Sequence, residues 1–549
     1  MSAGGVVLGL DGKTVVAKTA HEPSKNRSSS TLIFPLVPDD SPEGRRRRRR
    51  FRRRMREMSG GEEEEEKSEA VEKKEVEETS ENPVKTTGDI LYEGYGVHYV
   101  DLWVGCPPQR QTVIVDTGSS VTGFPCSGCH HCGGDAESND EHLQYHTDVL
   151  FQPEQSTCFE KVTHSDNCLV GDWNYDSNTC RASKHYSEGS TWEAFEAVDQ
   201  VYTGGDHNTV DTERKDNDSF KLHFACQDQV TGLFEQQLAD GIMGMYNSPE
   251  SFWYQMYTEK KMEQKAFSLC YAEPGHVERT GTLAGAMVLG GVDVRLHKTP
   301  MIWAEETSAH HDGKYEIHLE KVYLQANSPA TSADHDNEYE KELASTVDNL
   351  STLYNVQIFE ESLNNKGPVI IDSGTTATYL TSQLLHHFVD KFNSMVPEDV
   401  MVLGSDKYYQ LTLRQLQELP TVVFQIKGWQ PKDKDEQEDP PETTNIPGIV
   451  GTDTGDLKHA GKSILIRMPP SHYLTRKDDD EEMDWDALDD ISHYKFNIYF
   501  SKSSGKGATL GANFMRGHDI LFDIENNRIG FAESDCEYAS LVADDEDSG

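Results

Sequence analysis

The sequence contains no apolar run of about eighteen residues, so nothing in it is suited to cross a bilayer as a helix. It also lacks a recognisable leader. GVVLGL at residues 5–10 is too short for a secretory apolar region, and no basic residue precedes it. Positive charge is scarce: 51 Lys and Arg stand against 95 Asp and Glu, for a formal net charge of −44. Phosphate binding needs clustered cations, so this balance argues against nucleic acid as a partner. One stretch departs from it. Residues 45–56 read RRRRRRFRRRMR, and a Glu-dominated stretch follows from Glu62 to Glu78. Opposed charge blocks of this kind are expected to be disordered. The alternatives are a processing site for a basic-specific protease, a basic pro-segment over an acidic cleft, or a nuclear address, of which the last fits these cysteines least.

What is present is a chain of 549 residues, too long for one core at ~100–200 residues per domain. Its 35% hydrophobic and 27% charged residues suit real cores interrupted by solvated inserts. Ten cysteines suit disulfides in an oxidising compartment: eight lie between Cys106 and Cys226, and Cys270 and Cys536 stand apart. A secretory or extracellular route is therefore expected, with the natural chain extending beyond this sequence. Residues 1–88 lack sustained periodicity and read as a disordered or pro-like segment. From about Ile90, short apolar runs with turn punctuation take over, among them QTVIVDTGSS (111–120), FKLHFAC (220–226), PVIIDSGTT (368–376), TVVFQIKG (421–428) and KFNIYF (495–500). Helical pattern is confined to stretches such as 248–262 and 380–395. The class is all-β with minor helices. Acidic inserts at about 134–150, 305–350, 429–446 and 474–490 read as surface loops.

The chemistry lies in a repeat. VIVDTGSS at 113–120 and VIIDSGTT at 369–376 each place an Asp after an apolar strand, followed by a small hydroxyl residue, Gly and another hydroxyl residue. One such turn is commonplace; two in the same strand context imply two lobes related by a pseudo-twofold axis, with Asp116 facing Asp372. Two carboxylates that close cannot both ionise cheaply, so the pair shares a proton, and one member can act as base while the other acts as acid on a water held between them. Gly118 and Gly374 would permit the close approach, Ser119 and Thr375 would bond the outer carboxylate oxygens, and Thr117 and Ser373 would brace one turn against the other.

With these turns, DGIMGM (240–245), VLGGVD (288–293), TLGANFMR (509–516) and LFDIENNRIGFA (521–532), the chain resembles the pepsin-like aspartic proteases from about Tyr92 to Cys536. The resemblance implies a bilobal fold with the cleft between lobes, hydrolysis of internal peptide bonds in protein or peptide substrates, no metal or organic cofactor, and a monomer. It divides the chain into a first lobe at 89–265 with a Cys-rich insert and flap, a second lobe at 266–538, and an acidic tail at 539–549. HYSEGS at 185–190 falls where the flap tyrosine lies, which singles out Tyr186 and the hairpin Gly189; the alternative, from the residues alone, is a surface tyrosine at a hairpin tip. The family has a tryptophan soon after the first aspartate turn, where this chain reads VTGFPC with Phe124, and that puts the flap's tyrosine–tryptophan hydrogen bond in question.

PCSGCHHCGG at 125–134, LPTVVFQIKG at 419–428 and IRMPPSHYL at 466–474 look like the nepenthesin and plasmepsin V branch. That branch implies pairing of Cys126 with Cys129, Cys132 with Cys226 and Cys270 with Cys536, and admits a preference for a basic residue upstream of the cut. Cys158, Cys168 and Cys180 are further disulfide candidates, with Cys106 as the odd thiol. Cys126, Cys129 and Cys132 with His130 and His131 also have the spacing of a zinc site, but a second ligand pair in comparable spacing is missing. Sequons at Asn26, Asn217 and Asn349 lie in polar stretches where glycans would disturb no packing. The alternatives to an active endopeptidase are an inactive relative that binds peptides or another enzyme through its cleft, and a membrane-tethered sheddase, whose mark would be a spanning helix after residue 549.

Overall fold

The computed structural model describes residues 7–8, 14–15, 86–94, 96–132, 146–205, 209–272, 283–307, 313–326, 353–356, 363–364, 367–404, 408–429, 463–476, 491–501 and 507–538. The chain divides into two compact units, Met1–Ala20 with Lys85–Gly549, and His21–Val84. The second unit, which carries the arginine run and Asn26, lies outside the described residues, as do Asn349, the tail at 539–549 and most of the expected acidic inserts.

The first unit is built mostly of strands, and the sequence repeat recurs in its topology. Gln109–Asp116 runs parallel to Gly241–Gly244, which meets Gly123–His130 antiparallel, and that strand runs parallel to Phe220–Thr231. In the second half, Val369–Ile371 runs parallel to Ala508–Leu510, which meets Thr378–Thr381 antiparallel, and that strand runs parallel to Ile498–Ser501. The two lobes thus repeat one four-strand arrangement. The β-branched residues before each Asp suit these pleated interiors, and Val113, Val115, Val369 and Ile371 are fully buried. DGIMGM supplies the central strand of the first arrangement, and TLGANFMR runs from the end of the central strand of the second, Ala508–Leu510, into the short helix Ala512–Met515. Ala266–Tyr271 connects the lobes, pairing with Leu283–Leu289 on one side and with His518–Asp523 on the other.

The two helical stretches read from sequence appear as Phe252–Thr258 and Leu384–Met395. Each buries one face, through Trp253 and Met256 in the first and Leu384, Phe388 and Phe392 in the second. Within the expected N-terminal tail, Val7–Leu8 pairs antiparallel with Thr14–Val15 and also with Ile498–Ser501, extending the edge of the second-lobe sheet.

Five disulfides form: Cys106–Cys158, Cys126–Cys226, Cys129–Cys132, Cys168–Cys180 and Cys270–Cys536. The expected Cys270–Cys536 bond is present, but two pairings and the free thiol are corrected. Cys126 lies on Gly123–His130 beside Phe220–Thr231, where Phe124 is in register with Cys226, so its partner is across the sheet and not three residues along the chain. Cys129 instead closes on Cys132, where His131 takes a left-handed conformation with φ of 61° and turns the chain back. Cys106 is held against the insert, accepting at its carbonyl from Thr157 N at 3.0 Å and donating its own N–H to Ser156 Oγ at 3.0 Å, which brings it to Cys158. With Cys126, Cys129 and Cys132 all oxidised, the zinc reading loses its thiolates.

Candidate active site

Each Asp ends a buried strand and enters a tight turn, and the two turns bind each other reciprocally. Thr117 N donates to Ser373 Oγ at 2.8 Å, and Ser373 N donates to Thr117 Oγ1 at 2.9 Å. The same hydroxyls reach across to opposite strands, Thr117 Oγ1 donating to Ile371 O at 3.0 Å and Ser373 Oγ to Val115 O at 2.6 Å. Thr117 and Ser373 are only 1% and 0% exposed, so these bonds form away from solvent competition.

Locally, each carboxylate is oriented in the same way. Gly118 N donates to Asp116 Oδ1 at 2.8 Å and Ser119 Oγ to Asp116 Oδ2 at 2.5 Å. Gly374 N donates to Asp372 Oδ1 at 3.0 Å and Thr375 Oγ1 to Asp372 Oδ2 at 2.7 Å. Each carboxyl also faces the glycine of the opposite turn. A Cβ built on Gly118 would lie 2.5 Å from Asp372 Oδ1, and one on Gly374 would overlap Asp116 Oδ1. The glycines are therefore what allows the carboxyls to approach.

Burial, followed by the facing Asp372 carboxylate, pushes the Asp116 carboxyl well above the ordinary carboxylate range, against the lowering pull of the Ser119 and Gly118 donors. Asp372 is raised as well, again by burial first, while its bonds to Thr375, Asp116 and the turn amides draw it down. The hydrogen bond between the carboxyls couples their titration, so the shared proton belongs to the pair.

The strands Thr179–His185 and Thr191–Thr203 form a hairpin above the first turn, closed by Tyr186 N donating to Ser190 O at 2.9 Å and Gly189 N to Tyr186 O at 3.1 Å. Gly189 takes a φ of +108°, which a residue with a side chain rarely adopts. Tyr186 OH accepts from Trp192 Nε1 at 3.2 Å and also bonds Ser119, so it hangs over the Asp116 turn. This corrects the sequence reading of the flap. The indole comes from the hairpin's own second strand, six residues after the tyrosine, whereas Phe124 points into the first-lobe core, stacked on Phe224 at 4.7 Å. The signal in the sequence was an aromatic on the return strand of the same hairpin. Trp192→Phe removes the donor and, at a side chain only 1% exposed, also leaves a cavity; at ~1 kcal/mol for one net hydrogen bond, kcat/KM for peptide cleavage should fall about 5-fold, and the thermal midpoint should fall with it.

Two buried carboxylates that the sequence reading passed over support this geometry. Asp240 Oδ2 accepts from Thr112 N at 2.7 Å and Thr112 Oγ1 at 2.6 Å, fastening the central strand to the one that carries Asp116. Glu196, fully buried on the flap's second strand, accepts from Leu169, Val170 and Gly171 N–H at 2.9–3.1 Å and contacts His223 Nδ1 at 2.7 Å. A buried carboxylate this well supplied with donors ties the cysteine-rich insert to the base of the hairpin.

Residues 98–291 match the family described as "Xylanase inhibitor N-terminal". The chain is similar to aspartic protease 5 of Toxoplasma gondii, with 30% identity over 38% of this chain and 20% of that protein. It is also similar to plasmepsin V of Plasmodium falciparum, with 23% identity over 82% of this chain and 73% of the relative, and to nepenthesin-2 of Nepenthes gracilis, with 23% identity over 81% and 79%. The chain thus spans one fifth of the Toxoplasma protein and about three quarters of the other two.

Proposed function

Because the chain belongs to the pepsin-like aspartic protease family, we propose that it is an endopeptidase in which Asp116 and Asp372 activate water against internal peptide bonds. One observation carries the reading: the turns of the repeat grip each other through Thr117 and Ser373 and bring the two carboxyls into hydrogen-bonding reach. With one proton between them, the ionised member takes a proton from the attacking water while the protonated member polarises the scissile carbonyl. The tetrahedral intermediate then collapses as a carboxyl returns a proton to the departing amine. The carboxyls supply both acid and base, so the mechanism calls on no metal. Tyr186 closes over the substrate strand, and Gly189 lets the hairpin turn tightly there.

The family description that matches residues 98–291 names an inhibitor, which is the non-hydrolytic alternative. Retention of both carboxylates with all their hydroxyl and amide donors favours hydrolysis. Five disulfides support passage through an oxidising compartment, and so a secretory or extracellular site of action. Among the described residues no helix is long and apolar enough to cross a membrane. We take the residues before Thr87 as a pro-segment, since Thr87–Gly94 is already a strand paired with Leu283–Leu289, a reading supported by the pairing of Val7–Leu8 with Ile498–Ser501.

A diverse peptide library, incubated from about pH 3 to about pH 8 with and without a statine-type transition-state analogue, tests the activity. Inhibitable cleavage at internal bonds supports it, and intact peptides throughout overturn it. Mass spectrometry of the enzyme's own N-terminus in the same incubations tests the pro-segment, whose loss should accompany rising activity.

The pH profile follows from the direction of the two shifts. Both carboxyls are raised, so the one-proton state persists above the ordinary carboxylate value of ~4 and is lost only as pH climbs through the raised range. A bell-shaped kcat/KM profile is expected, with its alkaline limb well above pH ~4. Stability has the same sign: a carboxyl raised on folding favours the native state at low pH, and that contribution is lost as pH rises through the folded-state pKa. Activity undiminished at about pH 10 would remove the shared proton from the mechanism.

A further inference from the structure

The first flap strand alternates in exposure. Ser183, His185 and Ser187 face solvent, whereas Ala182, Lys184 and Tyr186 are turned inward. A lysine on the inward face is out of place in this pattern, since the ammonium is strongly hydrated and ordinarily takes the solvent side. Lys184 stands directly opposite Trp192 in the hairpin register, so the two side chains share the face on which Trp192 meets Tyr186. Its Nζ donates to Ser120 Oγ at 3.3 Å, one residue past the Ser119 that orients Asp116. Among the described residues no carboxylate lies within ion-pair distance of it, although acidic residues outnumber basic ones almost two to one in this chain. The half-buried cation therefore has one neutral hydroxyl as its partner, and it borders the space between flap and catalytic turn.

Resting on the proteolytic reading above, we infer that Lys184 is a specificity-determining residue, whose counter-ion is an acidic side chain of the substrate. Lys184 and Tyr186 are two residues apart along an extended strand, a separation of ~6.6–6.8 Å. A substrate strand lying along the hairpin, with its scissile bond near Tyr186, brings to Lys184 the side chain about two positions from the cut. The substrates selected are peptides with Asp or Glu at that one position. An amide isostere fills the same volume but leaves the ammonium without its counter-charge.

The test uses the full chain and internally quenched peptides in which each position flanking the cut carries Glu, Gln or Lys in turn. The readout is the Glu-to-Gln ratio of kcat/KM within each variant, so that a general loss of activity cancels. In the wild type the ratio should be about 10 at one position about two residues from the cut and near 1 elsewhere. Lys184→Arg should keep the preference, Lys184→Met should bring the ratio to about 1, and Lys184→Glu should turn the preference at that position towards Lys. A flat ratio in an active wild type, or an acid preference that survives Lys184→Met, overturns the inference while leaving the proteolytic reading in place. Failure of the wild type to cleave any peptide overturns the proteolytic reading, and this inference with it.

Discussion

Asp116→Asn should reduce kcat/KM for peptide cleavage by at least ~10³-fold, because general acid–base catalysis by a positioned group commonly contributes 10²–10⁴-fold and here the pair acts as a unit. Asn keeps the shape but cannot ionise: its one amide oxygen can still accept from Gly118 N, while its NH2 must donate to Ser119 Oγ where the carboxylate oxygen accepted from it. Asp372→Asn should lose as much, and the double variant hardly more than either single one, since removing one member already removes the shared proton. The folded state should not suffer. Burial makes an ionised carboxyl costly at Asp116, so the neutral amide should leave the thermal midpoint at pH ~7 equal or raised. Full peptide-cleaving activity in Asp116→Asn, in protein shown to be folded by its thermal transition, would remove Asp116 from the chemistry.

Gly374→Ala should cost nearly as much without touching an ionisable group. The added methyl would overlap the Asp116 carboxyl, with Oδ1 as its nearest atom and the carboxyl carbon next. The side chain cannot swing away freely, since Ser119 Oγ holds its other oxygen at 2.5 Å and Thr117 and Ser373 lock the turn behind it. A displacement of about 1 Å at a reacting group costs ~10²-fold in rate, so kcat should fall by about that factor or more. Gly118→Ala, which presses on Asp372 Oδ1 in the same way, should behave alike. A quarter of wild-type kcat or more in either variant would mean that the carboxyls do not need this separation. A pH profile taken alongside separates misplacement from unfolding: a displaced carboxyl changes its partner's field and moves the alkaline limb, whereas partial unfolding lowers the whole curve.

Legibility from sequence differed between residues for identifiable reasons. The roles of Ser119 and Thr375 beside Asp116 and Asp372 were readable because those bonds lie within three positions, a spacing set by the turn alone, and those of Thr117 and Ser373 because the turn occurs twice. Phe124 misled because its position after VTG says nothing of which way the ring points; the parallel pairing with Phe220–Thr231 sends it into the lobe. Trp192 was missed because it reaches Tyr186 across a hairpin whose register sequence does not print. Cys126 was paired with the wrong partner because the pairing was carried over from the resemblance, whereas sheet register sets Cys126 beside Cys226. The burial of Asp240 and Glu196 was invisible because one carboxylate among 95 acidic residues carries no mark of being buried, even where, as for Asp240, it stands in a quoted motif.

Sequence sufficed for the all-β class, through its short apolar runs, and, through the duplicated strand–Asp–turn pattern, for the two-lobed plan and the candidate acid pair. These follow from short-range backbone preference and from repetition, which a linear chain records directly. Tertiary structure alone decided which cysteines bond, which indole holds the flap tyrosine, and that Lys184 turns its ammonium towards the catalytic turn. Each of those depends on side chains brought together by sheet register, and a slip of one residue in that register would reverse the face on which every one of them lies.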